Sequence, residues 1–184
     1  MLGSLSDVRI ILLGDSHLAR IKRDLPRLGT HVVNAAVGGA TVHDLDAQAA
    51  AASVRPDDVV VLSVGTNDAA PWKEVPIALF REALEQFLSS RDVARWVIVL
   101  PPGVVEVRLN GEGDRTNALL EGYRAAATAV ATAVGAQIMD PQAALSALGS
   151  SAFTRDGLHL SGKGYRVLLP ALRAATRPKA VPPG

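Results

Sequence analysis

Short apolar runs alternate along the chain with longer stretches in which apolar residues recur every three or four positions. This alternation is typical of βαβ units, in which helices cover both faces of a parallel sheet. The third and fourth runs consist mainly of Val, Ile and Leu, as expected for strands that are buried on both faces. The predicted strands are residues 8–13, 31–34, 58–64, 95–100 and 136–139.

Helices are predicted in the intervals between these runs, because each interval combines an apolar stripe with a recognisable start or stop signal. Ser and Thr favour helix starts, Pro favours a first turn, and Gly favours the position after a helix. Thr41 with Asp44 precedes an Ala-rich helix that runs to about residue 53, and Pro76 precedes an apolar stripe at 77–88. Gly135 follows a stripe at 119–134. Ser161 precedes a last helix that Pro170 is expected to kink.

These elements predict an α/β protein, a three-layer α/β/α sandwich of about five parallel strands in the order 2-1-3-4-5. Such sheets bind ligands beyond the carboxyl ends of the strands, near the point where the strand order reverses. No repeat, linker or change of composition divides the sequence. We therefore expect a single domain over residues 1–184, with a core at about 7–176 and a disordered tail at 177–184.

Composition excludes several classes of site and partner. The 184 residues include no cysteine, which excludes disulfides and Cys-ligated zinc or iron–sulfur sites. The net charge of +1, without a basic cluster, argues against nucleic acid or an anionic membrane as partner. The first apolar run is short and contains Arg9, and no stretch approaches the roughly 20 apolar residues of a membrane span. We therefore expect a cytoplasmic protein.

Polar and glycine-containing segments follow four of the predicted strands, at residues 14–17, 34–41, 65–68 and 156–159. Each segment alone has a simpler explanation as a helix cap, a turn with positive φ, an Asx turn or a surface ion pair. Parallel strands, however, present their carboxyl ends at one edge of a sheet. There the four segments would bring together Ser, His, an acid and donors for an oxyanion, which favours a single site.

In order and spacing these segments resemble the blocks of the SGNH hydrolases, also called GDSL-type esterases and lipases. Residues 14–16 (Gly-Asp-Ser) are similar to the first block, 34–39 to the second, 65–68 (Gly-Thr-Asn-Asp) to the third and 156–159 (Asp-Gly-Leu-His) to the fifth. His17 stands where Leu is usual. The resemblance implies a flavodoxin-like fold and ester hydrolysis through an acyl-serine intermediate, with neither a metal nor a cofactor.

Carried over by position, the resemblance implies that Ser16 is the nucleophile, His159 the general base and Asp156 the residue that orients the histidine. The backbone N–H groups of Ser16 and Gly39 and the side-chain amide of Asn67 would form the oxyanion hole. A serine hydroxyl needs a neighbouring base at neutral pH, and imidazole is suited to that role. Because Asp156 precedes His159 by three residues, one turn of chain can bring the two side chains together.

Other residues near these blocks are candidates for supporting roles. Asp15 is expected to stabilise the strand-to-helix turn rather than to act as an acid. His17 is expected either to line the site or to lie on the helix surface, and Trp72 either to form a wall of an acyl or alcohol pocket or simply to pack. The loop from Pro101 to Arg115 follows the fourth strand at the same edge and is the best candidate for a substrate flank.

The leading hypothesis is a metal-independent serine esterase that acts on small O-acyl esters, such as acetyl esters of a sugar or metabolite. An acyltransferase would use the same residues with an alcohol in place of water, and the sequence does not separate the two. A non-catalytic flavodoxin-like module is disfavoured because the chain has neither a P-loop nor a Gly-x-Gly-x-x-Gly motif. The expected partner is a small-molecule ester, and the oligomeric state stays open.

Overall fold

A computed structural model describes residues 8–109 and 114–177. Five parallel strands form a sheet in the order β2-β1-β3-β4-β5, which confirms the predicted topology. The pairing is in register across the centre of the sheet, where Leu12 lies beside Asn34 on one side and Val61 on the other. The strands are β1 (Ile10–Gly14), β2 (Val32–Asn34), β3 (Val59–Ser63), β4 (Arg95–Val99) and β5 (Gln137–Met139).

The helices begin and end close to the predicted signals. Thr41 and Asp44 form a capping box on a 3-10 turn, so the regular helix begins slightly later than predicted. The last helix is capped by Ser161, as predicted, and continues past Pro170. The predicted tail lies outside the described residues from residue 178 onward. The α-helices are α1 (Ser16–Ala19), α2 (Leu45–Ala52), α3 (Ile77–Ser89), α4 (Asn117–Ala133), α5 (Pro141–Leu145) and α6 (Gly162–Thr176).

Two apolar layers hold the sheet between the helices, because successive residues of each strand point to opposite faces. One layer joins Leu13, Leu62 and Ile98 of the sheet to side chains of α2, α3 and α4. The other layer joins Leu12 and Val61 to side chains of α1, α5 and α6. This confirms the three-layer sandwich, and it leaves the carboxyl edge of the strands as the place where loops meet.

The carboxyl ends of β1 and β3 lie side by side, with Gly14 paired with Ser63. A Cβ on Gly14 would lie 1.9 Å from the Ser63 carbonyl oxygen, and the Gly14 φ of +112° is rarely adopted by other residues. The side chain of Gln48 hydrogen-bonds both the N–H and the carbonyl of Gly14. Because the two strands are so close here, the segments that follow β1 and β3 begin side by side.

Replacing Gly14 with Ala should therefore destabilise the fold by more than about 4 kcal/mol, since the new methyl overlaps backbone that cannot move without breaking the sheet. Gly135 is the matched control, because its φ is also positive (+68°) but a Cβ there has open space around it. Gly135→Ala should cost only about 1–2 kcal/mol. Urea unfolding of both variants measures the difference, and equal losses would contradict the packing described at Gly14.

Candidate active site

Asp15 organises the turn that carries Ser16. One carboxylate oxygen accepts hydrogen bonds from the His17 N–H (3.0 Å) and the Ser63 hydroxyl (3.1 Å), and the side chain caps α1. Burial raises the pKa of Asp15 to about 7, although both hydrogen bonds lower it. As predicted, Asp15 holds the strand-to-helix turn in place.

Ser16 is the first residue of α1 and is 7% exposed. It lies against the second polar segment, since a Cβ on Gly38 would be 3.9 Å from the Ser16 Cβ. Because α1 has only four residues, any stabilisation of an anion there comes from individual N–H groups rather than from the dipole of a long helix.

The segment after β2 is tied to the segment after β1. Asn34 donates to the Leu18 carbonyl (2.9 Å) and accepts from the Ala36 N–H (3.1 Å), and the Val37 N–H donates to the Gly14 carbonyl (2.9 Å). These hydrogen bonds hold the part of the loop that precedes Gly39, and Gly39 itself has a φ of +81°. The second block therefore bends back toward Ser16.

The segment after β3 is joined to the same loop through Asn67 and Asp68. The Asn67 amide nitrogen donates to the Ala40 carbonyl at 2.9 Å. Asp68 accepts from the N–H groups of Val42 and Gly65, each at 2.8 Å, and burial raises its pKa although these bonds lower it. Both Asp68 oxygens therefore bind backbone N–H groups and tie the segment after β3 to the loop after β2.

Asp156 and His159 form a compact turn before α6. The His159 Nδ1 lies 2.7 Å from one Asp156 oxygen. The other oxygen accepts from the N–H groups of Leu158 (2.9 Å) and His159 (3.0 Å) and from the Thr154 hydroxyl (2.6 Å). Partial burial raises the pKa of Asp156, but these hydrogen bonds together outweigh it and hold the pKa well below its usual range. A carboxylate is therefore maintained beside the imidazole.

The loop after β4 packs against this turn. The Val105 N–H donates to the Gly157 carbonyl at 2.7 Å, and a Cβ on Gly157 would lie 2.5 Å from the Val105 carbonyl oxygen. The loop at 101–115, which is predicted to flank the substrate, thus contacts the turn between Asp156 and His159 through Val105, and its residues 110–113 lie outside the described residues.

Comparison with known proteins assigns the chain to a protein family. The sequence profile of the GDSL-like lipase/acylhydrolase family matches residues 12–167. The chain belongs to this family. It is therefore a hydrolase of ester bonds, with small-molecule esters as its class of substrate. A search among curated proteins returns no match.

Solved structures share the fold of this GDSL-like acylhydrolase at low sequence identity. A lipase/acylhydrolase from Enterococcus faecalis has a TM-score of 0.76 and 23% identity, covering 95% of this chain and 100% of its own. An acetylxylan esterase from Geobacillus stearothermophilus has a TM-score of 0.73 and 20% identity, with coverages of 95% and 96%. An alpha/beta hydrolase enzyme from the metagenome of Lake Arreo, Spain, has a TM-score of 0.74 and 19% identity, with coverages of 93% and 95%.

His17 lies inside the acylhydrolase rather than on its surface, with 1% of its area exposed. Its ring centroid is 6.4 Å from that of His159, and neither ring nitrogen has a hydrogen-bond partner in the part of the chain that the structure describes. Burial first, and then the nearby His159 and Arg20, lower the pKa of His17 to about 3. The alternative that His17 lies on the helix surface is wrong, because α6 packs against α1 at this position. The Tyr165 hydroxyl of α6 donates a hydrogen bond to the His17 carbonyl.

Replacing His17 with Leu should raise the free energy of unfolding at pH 7 by about 1–3 kcal/mol, since a buried polar ring without partners carries a desolvation cost. The gain should grow by about 2 kcal/mol between pH 7 and pH 5, because the unfolded histidine binds a proton near pH 6.5 and the folded one does not. The contribution of His17 to the free energy of unfolding of the wild type therefore becomes less favourable as the pH falls.

Urea unfolding of both proteins at the two pH values measures this. Asp15, with a raised pKa, favours the fold as pH falls from 7 to 5. It is present in both proteins, so their difference isolates the imidazole. A variant no more stable than the wild type, with the same pH dependence, would show that His17 is well solvated in the folded protein.

Arg115 lies between Asn67 and Trp72. Trp72 is 61% exposed, which excludes simple packing in the core, and the Arg115 guanidinium lies 5.0 Å from the centroid of its ring. Arg115 is 5% exposed and reaches the Thr66 carbonyl (3.1 Å) and the Asn67 side-chain oxygen (3.4 Å). No local sequence signal predicted these contacts, since they connect residues 43 to 49 positions apart.

Metal and membrane features were also sought in the structure. Over residues 8–109 and 114–177, no three side chains of His, Asp or Glu are grouped so that they could hold a metal ion. No helix within those two ranges has the length and apolar character needed to cross a membrane.

Proposed function

We propose that the chain is a serine esterase that hydrolyses small O-acyl esters through an acyl-Ser16 intermediate. The observation that carries the proposal is the 2.7 Å contact between His159 Nδ1 and the Asp156 carboxylate, at the same sheet edge as Ser16. Since the carboxylate engages Nδ1–H, the neutral ring has its lone pair on Nε2. That is the tautomer a general base requires.

The reaction then proceeds in two steps. The Ser16 hydroxyl attacks the acyl carbonyl while His159 Nε2 takes its proton, and the imidazolium returns that proton to the leaving alcohol as the ester C–O bond breaks. Water then attacks the acyl-Ser16 ester, again losing its proton to His159, and the acid is released as Ser16 Oγ is reprotonated. Asp156 stabilises the imidazolium in both steps and keeps its own charge.

The oxyanion would be stabilised by the N–H groups of Ser16 and Gly39 and by the Asn67 amide. Asn67 has two amide hydrogens, and the Ala40 carbonyl engages one of them, so the second can serve a substrate oxygen. The Asp15 side chain takes the N–H of His17 rather than that of Ser16. This division of the donors supports a role for the Ser16 N–H in the oxyanion hole.

Support for a small acyl group comes from a structural relative and not from the cavity next to the second polar segment. A surface cavity of about 360 Å³ adjoins Gly38 and Gly39, and Lys73 forms part of its wall. Neither Ser16, Asn67 nor His159 lines this cavity, so it lies beside the proposed site and its volume does not set the length of the acyl chain. The exposed ring of Trp72 would line the neighbouring wall. The structural relative from Geobacillus is an acetylxylan esterase, and the acetyl group in that name is a small acyl group.

A panel of p-nitrophenyl esters with acyl chains of increasing length tests the proposal. We expect kcat/KM to be highest for acetyl or butyryl esters and to fall for long chains. EDTA should leave it unchanged, since the proposed steps use only groups of the protein and water. Preference for long acyl chains would contradict the substrate size. Activity that survives Ser16→Ala would contradict the mechanism, and acyl transfer to an excess of alcohol that outcompetes water would favour the acyltransferase instead.

A further inference from the structure

A buried cation, Arg115, lies behind the side-chain amide assigned to the oxyanion hole. Its Nη1 donates to the Thr66 carbonyl at 3.1 Å and approaches the Asn67 Oδ1 at 3.4 Å. We propose that Arg115 is a positioning residue that holds the Asn67 amide with its N–H groups toward the substrate oxygen. This inference rests on the proposed function, because it assigns a role relative to the same oxyanion hole.

The orientation of the Asn67 amide decides whether it stabilises or repels an oxyanion. Rotation of the amide by 180° would place Oδ1 against the Ala40 carbonyl and the amide N–H groups against the Arg115 guanidinium. The first contact pairs two acceptors and the second pairs two donors. Both neighbours therefore favour the same orientation, the one in which Nδ2 lies 2.9 Å from the Ala40 carbonyl.

Arg115 can act in this way because it is itself held from several directions. Its Nε donates to the Asp114 carboxylate at 3.0 Å, and its guanidinium lies over the Trp72 ring, where cation–π attraction holds it. Only 5% of the side chain is exposed. The planar, delocalised guanidinium fits this combination of carbonyl, carboxylate and ring better than an ammonium group does.

The charge of Arg115 adds to the geometric effect. A cation at Oδ1 polarises the amide and makes its N–H groups stronger donors, and hydrogen bonds in such a chain reinforce one another. The benefit is largest when negative charge develops on the substrate oxygen, so it appears in the transition state more than in the bound ester. Loss of Arg115 should therefore lower kcat with little change in KM.

A double-mutant cycle between Arg115 and Asn67 tests this. With p-nitrophenyl acetate, we expect Arg115→Gln to lower kcat by about tenfold or more, the loss of a charged hydrogen bond, with KM changed by less than about threefold. Asn67→Ala should lower kcat by about 10²–10³-fold. In the Asn67→Ala background, Arg115→Gln should have little further effect, because the amide through which it acts is gone.

Two further variants keep the outcome interpretable. Arg9→Gln is the matched control, since Arg9 also pairs with a buried carboxylate and a backbone carbonyl but lies at the opposite edge of the sheet; it should lose stability and keep its kcat. If Arg115→Gln does not fold, the same cycle is run with Arg115→Lys, which retains the charge and loses the planar fork.

The results separate this inference from the proposed function. Ser16-dependent hydrolysis with multiplicative effects of Arg115 and Asn67 would overturn the positioning role alone. So would an Arg115 variant that raises KM and leaves kcat unchanged. Hydrolysis that is absent, or that survives Ser16→Ala, would overturn both the proposed function and the inference.

Discussion

Replacing Ser16 with Ala should lower kcat/KM for a short-chain aryl ester by about 10³–10⁶-fold, because the substitution removes the atom that forms the acyl intermediate. The fold should survive, since the change removes a single oxygen atom at the start of α1 and leaves the Asp15 cap in place. Thermal unfolding of the variant should therefore match that of the wild type. The residual rate measures what the oxyanion donors and substrate binding achieve without a nucleophile.

Ser90→Ala is the control for this variant. Ser90 is an exposed serine at the end of α3, at the opposite edge of the sheet, and should keep full activity when its hydroxyl is removed. A loss of less than about tenfold in Ser16→Ala, with a normal unfolding transition, would assign the nucleophile to another group.

Replacing Asp156 with Asn should lower kcat by about 10²–10⁴-fold, because the neutral amide no longer selects the His159 tautomer or stabilises the imidazolium. The lower part of this range is the expected result, since 43% of the Asp156 side chain is exposed and solvent screens part of the lost charge. KM should change little, because the carboxylate contacts the histidine rather than the ester. Steady-state kinetics on a short-chain ester measure both parameters.

Asp140 offers a closely matched control. Its side chain is 44% exposed, accepts a hydrogen bond from a backbone N–H and pairs with Arg124, so it matches Asp156 in exposure and in holding a local turn but has no contact with His159. Asp140→Asn should cost some stability and leave kcat within about threefold of the wild type. Equal losses of kcat in the two variants would mean that Asp156 acts through the stability of the turn and not through the imidazole.

The sheet could be predicted because β1, β3 and β4 are buried and form short apolar runs, whereas β2 and β5 are three residues each and only partly buried. The alternation with helices predicted parallel strands, and the order 2-1-3-4-5 is one of the common orders of such sheets. Helix limits shifted by a few residues where a 3-10 turn precedes the helix, as at Thr41. The short α5 and the 3-10 helix after it were missed, because the Ala- and Ser-rich segment has no apolar period.

The candidate site could be predicted where its chemistry is local. Asp156 and His159 are three residues apart, and the structure brings them together as that spacing suggests. The burial of His17 and the contacts of Arg115 could not be predicted in the same way. Both depend on residues far along the chain, Tyr165 for the first and Asn67 for the second, and nothing near either residue in the sequence signals the contact.

Labelling with a fluorophosphonate probe tests the central claim most directly, because such probes react with serine only where a base and an oxyanion hole activate it. The account predicts one adduct per chain, mapped by peptide mass spectrometry to Ser16, and labelling slowed by at least about a hundredfold in His159→Asn. An active wild-type protein that takes up no probe, or carries it on a serine other than Ser16, would contradict the account.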